Sequence, residues 1–257
     1  MIYNRFFASV ITMFMLSGCV TNSGGFGSFS KGDLNKKSYG HTEVPDPTGF
    51  APTKMVHRFE VRDGDCGVSS KGSSDCNRGS ERAEMKENSP SHYGESWYGW
   101  SIYFPKDYVS LIHSGVTVAQ FKPYSRKPLL TFGDHFETLV VNRYEGVPNA
   151  VRQQKSLERY ELIATEDLRG KWHKIEMNIK WSSDDDGFYK IWVNGKLKVD
   201  YKGVTKAGRP YLKYGIYRNN LHKYKFHAGV KIIPTQILMY SNVKKSDTRE
   251  GLLPTVE

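Results

Sequence analysis

From Pro52 onward, hydrophobic and polar residues alternate with a period of two, in segments rich in aromatic and β-branched residues that stop at Gly, Pro, Asn or Asp. That is the pattern of half-buried β-strands. It predicts strands over 97–104, 116–121, 129–132, 138–144, 172–181, 188–193, 196–201, 211–218 and 232–240. Between the sixth and seventh of these, Asn194-Gly195 supplies the two residues that tolerate positive φ in a two-residue hairpin turn. Only 151–168 reads as helix, and its period is weak. No internal repeat is visible. Many short strands with almost no helix predict an all-β fold, an antiparallel sandwich or β-jelly roll whose two sheets pack face to face and curve to leave a concave groove.

The beginning of the chain follows a different pattern. Residues 1–18 carry one charge, Arg5, and then the apolar stretch 6–16, too short to span a bilayer but suited to a secretory signal. The stretch ends in Leu16-Ser17-Gly18-Cys19, which resembles the lipobox of bacterial lipoproteins. This implies cleavage after residue 18, lipidation of Cys19, and export to a bacterial outer membrane on a lipid anchor, with an ordinary secretory signal as the alternative. Residues 19–50 are rich in Gly, Ser and Asn, lack apolar periodicity, and read as a flexible tether. The folded domain is then expected over 51–257.

Composition narrows the class. The 257 residues include 37 Lys and Arg against 27 Asp and Glu, a net charge of +10, with 13% aromatic residues. The aromatic content excludes a chain disordered throughout, and no apolar run beyond the N-terminus is long enough for a polytopic membrane protein. From Tyr201 to Ser246 there are ten basic residues and no acidic one. Such a one-signed field attracts polyanions. Anionic polysaccharide, nucleic acid and anionic lipid all fit by charge, and export makes nucleic acid the least fitting; membrane contact is expected through the anchor alone. With Cys19 lipidated, Cys66 and Cys76 remain, and in an oxidising compartment they are expected to form a disulfide. A metal-binding pair is the weaker reading, since no further Cys or nearby His pair completes a tetrahedral site.

Three strand-like segments carry the candidate chemistry. With period two, Arg82, Glu84 and Lys86 share one face while Ala83 and Met85 enter the core. Gln120 and Lys122 share a face with Val118, and Ala119 and Phe121 take the other. In the third segment Tyr211, Lys213, Gly215 and Tyr217 share a face opposite Leu212, Tyr214 and Ile216, and Gly215 leaves a gap the size of a carboxylate. If these strands are neighbours, an Arg, a Gln, a Lys and a Tyr surround one space. A uronic acid polymer can be cleaved there without water, by removing the proton at C5 and expelling the oxygen at C4, provided the neighbouring carboxylate is neutralised. Arg82 and Gln120 can donate to that carboxylate, and Tyr217 can shuttle protons beside a cation such as Lys213 or Arg218.

The segments Arg82-Ala83-Glu84-Met85-Lys86, Gln120-Phe121-Lys122 and Tyr211-Leu212-Lys213-Tyr214-Gly215-Ile216-Tyr217-Arg218-Asn219 resemble, in the same order, the three sheet motifs of jelly-roll polysaccharide lyases, including the alginate lyases. The segment 97–105, Trp-Tyr-Gly-Trp-Ser-Ile-Tyr-Phe-Pro, is more similar still to the heparin lyase I and glucuronan lyase group. The resemblance implies a concanavalin A-like sandwich and β-elimination without an organic cofactor. Tyr217 would be the proton donor, Arg82 and Gln120 the carboxylate neutralisers and Lys213 a groove cation. Glu84, Lys86, Lys122, Tyr211, Arg218 and Asn219 would contact substrate. The alginate enzymes carry His where this chain has Lys122, so the C5 base is either Tyr217 itself or another His, with His135 and His92 as candidates.

Rival readings are a lectin for acidic glycans on the same sandwich, a glycoside hydrolase of the same fold, and a structural surface lipoprotein. The hydrolase needs two carboxylates flanking the bond, and the E-x-D-x-x-E pattern of such enzymes is missing. Asp184-Asp185-Asp186-Gly187 offers oxygen ligands for a structural calcium ion, but reads more simply as a solvated loop. A monomer acting on an anionic polysaccharide is the resulting expectation.

Overall fold

The computed structural model describes residues 29–31, 37–68, 72–88, 94–151 and 153–255. In chain order the strands are β1 (Phe29–Lys31), β2 (His41–Pro45), β3 (Met55–Val61), β4 (Glu81–Glu87), β5 (Gly94–Tyr103), β6 (Gly115–Pro123), β7 (Leu130–His135), β8 (Thr138–Tyr144), β9 (Ser156–Ile163), β10 (Trp172–Trp181), β11 (Phe188–Val193), β12 (Lys196–Lys202), β13 (Pro210–Asn219) and β14 (Gln236–Ser246). They form two seven-stranded antiparallel sheets, one ordered β1-β4-β13-β6-β7-β8-β9 and the other β12-β11-β10-β5-β14-β3-β2. This is the expected sandwich. The first sheet carries all three motif strands, β4, β13 and β6, as direct neighbours.

Alternation explains the packing. In β13 the even positions Leu212, Tyr214 and Ile216 are buried. They face Phe59 and Tyr240 of the opposite sheet, whose rings meet Tyr214 edge-on or tilted with centroids 5.6 and 5.2 Å away. Trp100 meets Phe132 across the sandwich at 5.0 Å, and Tyr98 meets Phe121 at 4.8 Å. Each such fully buried side chain contributes about 1.5–3 kcal/mol. Asn194 and Gly195 both take positive φ, 49° and 80°, closing the β11–β12 hairpin as their residue types require.

Four features depart from the expectations. Residues 151–168 hold strand β9 rather than a helix, followed by a single short turn, α1 (Thr165–Leu168). A second helix, α2 (Leu221–Ala228), follows β13 where none was expected. The tether is interrupted: β1 adds an edge to β4 and places Phe29 edge-on to Tyr214 at 5.2 Å, while β2 pairs with β3. The period-two faces also break at a bulge. Tyr214 pairs with Ala119 and Tyr217 with Thr117, so Gly215 and Ile216 oppose Val118 alone, and on its other edge β6 skips Val118 against β7. Val118 therefore joins Ala119 in the core instead of sharing the face of Gln120.

Gly215 is required by that bulge. Its φ is +131°, and a Cβ there would lie 2.3 Å from the Ala83 carbonyl oxygen and 3.0 Å from Phe59. The missing side chain thus makes room for the neighbouring strand and the core, not for a sugar carboxylate as the sequence suggested. The carbonyls freed by the bulge find a partner across the sandwich: the buried Tyr240 hydroxyl lies 2.7 Å from Val118 O and 2.9 Å from Gly215 O. Cys66 and Cys76 are disulfide-bonded, with Cα atoms 5.2 Å apart. Residues 1–18, Cys19 and His92 lie outside the described residues.

Candidate active site

The outward face of the β4-β13-β6-β7-β8-β9 run forms a cleft of about 690 Å³ that crosses the strands. Arg82, Gln120, Lys122, His135, Tyr217 and Asn219 all line it. The register puts Tyr217 opposite Arg82 on one side and Thr117 on the other, and Lys213 opposite Gln120. The three motif strands therefore bring Arg, Gln, Lys and Tyr to one place.

What organises them is Glu84. Its side chain is 3% exposed and accepts bonds from Gln120 Nε2 at 2.7 Å, from Arg82 Nη1 at 3.1 Å, and from Lys213 Nζ. Burial alone would raise its pKa, but Lys213 and Arg82 outweigh that and hold the carboxyl below its usual range. Asp75 grips the same arginine from the other side, accepting from Nε at 2.6 Å and from Nη2 at 2.8 Å. Arg82 and Lys213 are thus balanced in charge by Glu84 and Asp75. Glu84 is an organiser beneath the cleft rather than a substrate contact, and Lys213 is spent on it.

Arg82 lies 4.2 Å over the Tyr217 ring, and the Tyr217 hydroxyl donates to Ser80 Oγ at 3.3 Å. The cation beside Tyr217 is therefore Arg82, not Lys213 or Arg218. Arg218 is fully buried, bonded through Nε to Glu81 at 2.6 Å and through Nη1 to Pro234 O at 2.6 Å. Its position follows from alternation, since it neighbours Tyr217 and points the other way. It cannot bind substrate in this fold. Tyr211 is covered by the Tyr124 ring at 4.8 Å, and Lys86 is half-buried beside β1, outside the cleft lining.

Lys122 lines the cleft and donates to the Arg126 and Pro123 carbonyls at 2.5 and 3.2 Å. Burial, with the charges of Lys213 and Arg82, pushes its amine down to about 8. His135 sits at the end of β7, where Phe136 and Glu137 make a tight turn at positive φ (51° and 67°), held by Asp134 Oδ1 accepting the Glu137 N–H at 3.0 Å. Its Nε2 is 2.8 Å from Arg159 Nη1, and burial and that charge lower its pKa. Sequence reasoning missed Asp75, Arg78, Asn142 and Arg159. The adjacent Cys76 was a signal for Asp75, and reading 156–163 with period two would have drawn attention to Arg159.

Charge distinguishes the cleft from a hydrolase site. Arg78, Arg82, Lys122, Lys127 and Arg159 line it, and among its described lining residues Asp134 is the sole carboxylate. Asp134 accepts from the Tyr108 hydroxyl at 3.1 Å, and burial raises its pKa. At the loop 182–187, Asp186 is taken by Lys180 and Ser182, each at 2.5 Å. No cluster of metal-ligating side chains occurs among the described residues.

A family model described as polysaccharide lyase matches residues 21–244. No curated protein matches the chain by sequence. Among solved structures, an endo-β-1,4-glucuronan lyase from the fungus Trichoderma reesei is 18% identical, with 89% of this chain and 98% of that one covered and a TM-score of 0.62. The family 7 alginate lyase A1-II' is 16% identical over 83% of this chain and 84% of that one, with a TM-score of 0.51. The catalytic domain of a glycoside hydrolase family 131 protein from Coprinopsis cinerea is 11% identical over 87% and 84%, with a TM-score of 0.52. At these identities the structures show a shared sandwich.

Proposed function

The chain belongs to the polysaccharide lyase family, whose model covers most of its length, and from that premise we propose that its cleft cleaves a uronate polymer by β-elimination. The observation that carries this reading is the convergence of Arg82, Gln120 and Tyr217 from three adjacent strands on one cationic cleft, with Glu84 fixing the first two. Bonds among the described residues use three of the five guanidinium N–H groups of Arg82 and one of the two amide N–H groups of Gln120. In this reading the remaining donors bind the sugar carboxylate and stabilise the enolate charge that develops when C5 loses its proton.

Tyr217 exchanges the protons. As the deprotonated Tyr217 oxygen takes the C5 proton, the C5–H electron pair forms the C4–C5 double bond and the C4–O bond opens. The departing oxygen then takes that proton from the Tyr217 hydroxyl, which is bonded to Ser80 Oγ, and the deprotonated tyrosine is restored. No step calls for an organic cofactor. Hydrolysis would need a pair of carboxylates across the bond, which the described cleft lining does not supply. We read Leu16-Ser17-Gly18-Cys19 as the address of an exported, lipid-anchored monomer, in keeping with the disulfide.

The test is a panel of glucuronan, alginate and heparin followed by ultraviolet absorbance of the unsaturated uronate. A rise with at least one polymer, lost in Tyr217→Phe, is expected. Binding without any absorbance change would favour a lectin, and equal rates in Tyr217→Phe would overturn the site assignment.

A further inference from the structure

The far wall of the cleft holds polar groups that the elimination does not use. Arg159 of β9 donates through Nε to Asn142 Oδ1 of β8 at 2.8 Å, and its Nη1 is 2.8 Å from His135 Nε2 of β7. Asn142 is buried, so its amide is a fixed acceptor. The imidazole of His135 accepts the second guanidinium proton in its neutral form. Two strands thus aim one arginine that a third strand supplies.

Its partners set this arginine apart. Arg143, on the neighbouring strand, is held by Glu158 at 3.0 and 3.2 Å, and Arg82 is shared by Asp75 and Glu84. Arg159 is bonded to two neutral groups and pairs with no carboxylate among the described residues. Three of its five N–H groups are left for a ligand. A planar fork with an unbalanced charge in a polyanion cleft suits a carboxylate.

Its distance from Tyr217 sets what that carboxylate belongs to. Strand β9 is four places from β13 in the sheet. Because Arg159 reaches back to β7, its guanidinium lies roughly two to three strand spacings, about 10–14 Å, from the strand that carries Tyr217. A pyranose in an extended chain advances about as far as one strand spacing, roughly 5 Å.

We propose that Arg159, oriented by Asn142 and His135, forms a distal subsite that binds the carboxylate of a second uronate, two to three sugars from the cleaved linkage. The substrate is then a chain bearing carboxylates at both places, and efficiency rises with chain length until this subsite is filled. The proposal rests on the lyase reading and concerns chain-length dependence within it.

The experiment measures kcat and KM for wild type and Arg159→Ala on size-fractionated oligoglucuronates and oligomannuronates, from trimers to octamers. A charge-assisted pair predicts that the wild-type advantage in kcat/KM grows with length to about tenfold, carried by KM with kcat nearly constant. His135→Ala and Asn142→Ala shift KM in the same direction by less. A constant ratio at all lengths, or a loss confined to kcat, overturns the distal subsite. If wild type cleaves none of these, the wider polymer panel decides the lyase reading, and calorimetric titration with an octamer decides the subsite: unchanged affinity in Arg159→Ala overturns it, and weakened affinity supports it.

Discussion

Replacing Glu84 by Gln attacks the group on which the site is built. Its carboxylate is buried with a Lys213 side chain that is itself 10% exposed, and it also receives Arg82 and Gln120. Gln keeps the volume and removes the charge, leaving the Lys213 ammonium buried without its counter-ion. Breaking a buried pair from one side costs about 3–5 kcal/mol, against a total stability of about 5–15 kcal/mol. At about 2–4 °C per kcal/mol for a domain of this size, the midpoint should fall by about 6–20 °C. The double change Glu84→Gln with Lys213→Met removes both charges and should recover part of that loss. The assay is thermal unfolding of wild type, both single variants and the double, with turnover measured in parallel. Turnover of Glu84→Gln should drop about a hundredfold, because Arg82 and Gln120 lose their common anchor. Unchanged stability and turnover, or a double variant no better than the sum of the singles, would refute the organiser role.

Lys122 titrates near 8, so its charge is present below that pH and lost above it; KM for a uronate polymer should rise through pH 8, and Lys122→Arg should abolish the rise. A pH-independent KM in wild type would count against a binding role for this cation. Asp75→Asn weakens the grip on Arg82 and should lower kcat by about tenfold, in line with loss of a charge-assisted bond. Reducing the Cys66–Cys76 bridge, which closes the loop presenting Asp75, should cost about 2–3 kcal/mol in chemical denaturation and lower kcat in the same sense. Gly215→Ala places a methyl 2.3 Å from the Ala83 carbonyl and should cost more than about 2 kcal/mol in thermal unfolding; a neutral effect would show that the bulge can relax.

Much of this was legible in the sequence because strand alternation is a strong local signal. The pattern in 172–181 and 188–193 reproduces β10 and β11 to the residue, and the faces of Arg82, Gln120 and Tyr217 came out right. What alternation cannot show is a change of phase. The bulge at Gly215 and Ile216 moves Val118 to the core, and nothing in the apolar pattern marks it except a glycine, which sequence reasoning took for empty space. Edge strands are faint for another reason. Pairing along one edge gives β1 and β2 structure without demanding an apolar repeat, so Gly- and Ser-rich surroundings read as tether. The charge balance of the site was hidden as well, since Asp75 lies outside any strand and Glu84 resembles an exposed residue until its three donors are seen.

The central claim is that the bond is broken by elimination rather than by water. Digestion of a uronate polymer that the wild-type protein cleaves, in water enriched in heavy oxygen, tests it by mass spectrometry of the products. Chains should end in a C4–C5 unsaturated uronate with no heavy oxygen built into the new ends. Saturated ends carrying the label would mean hydrolysis and would contradict the account.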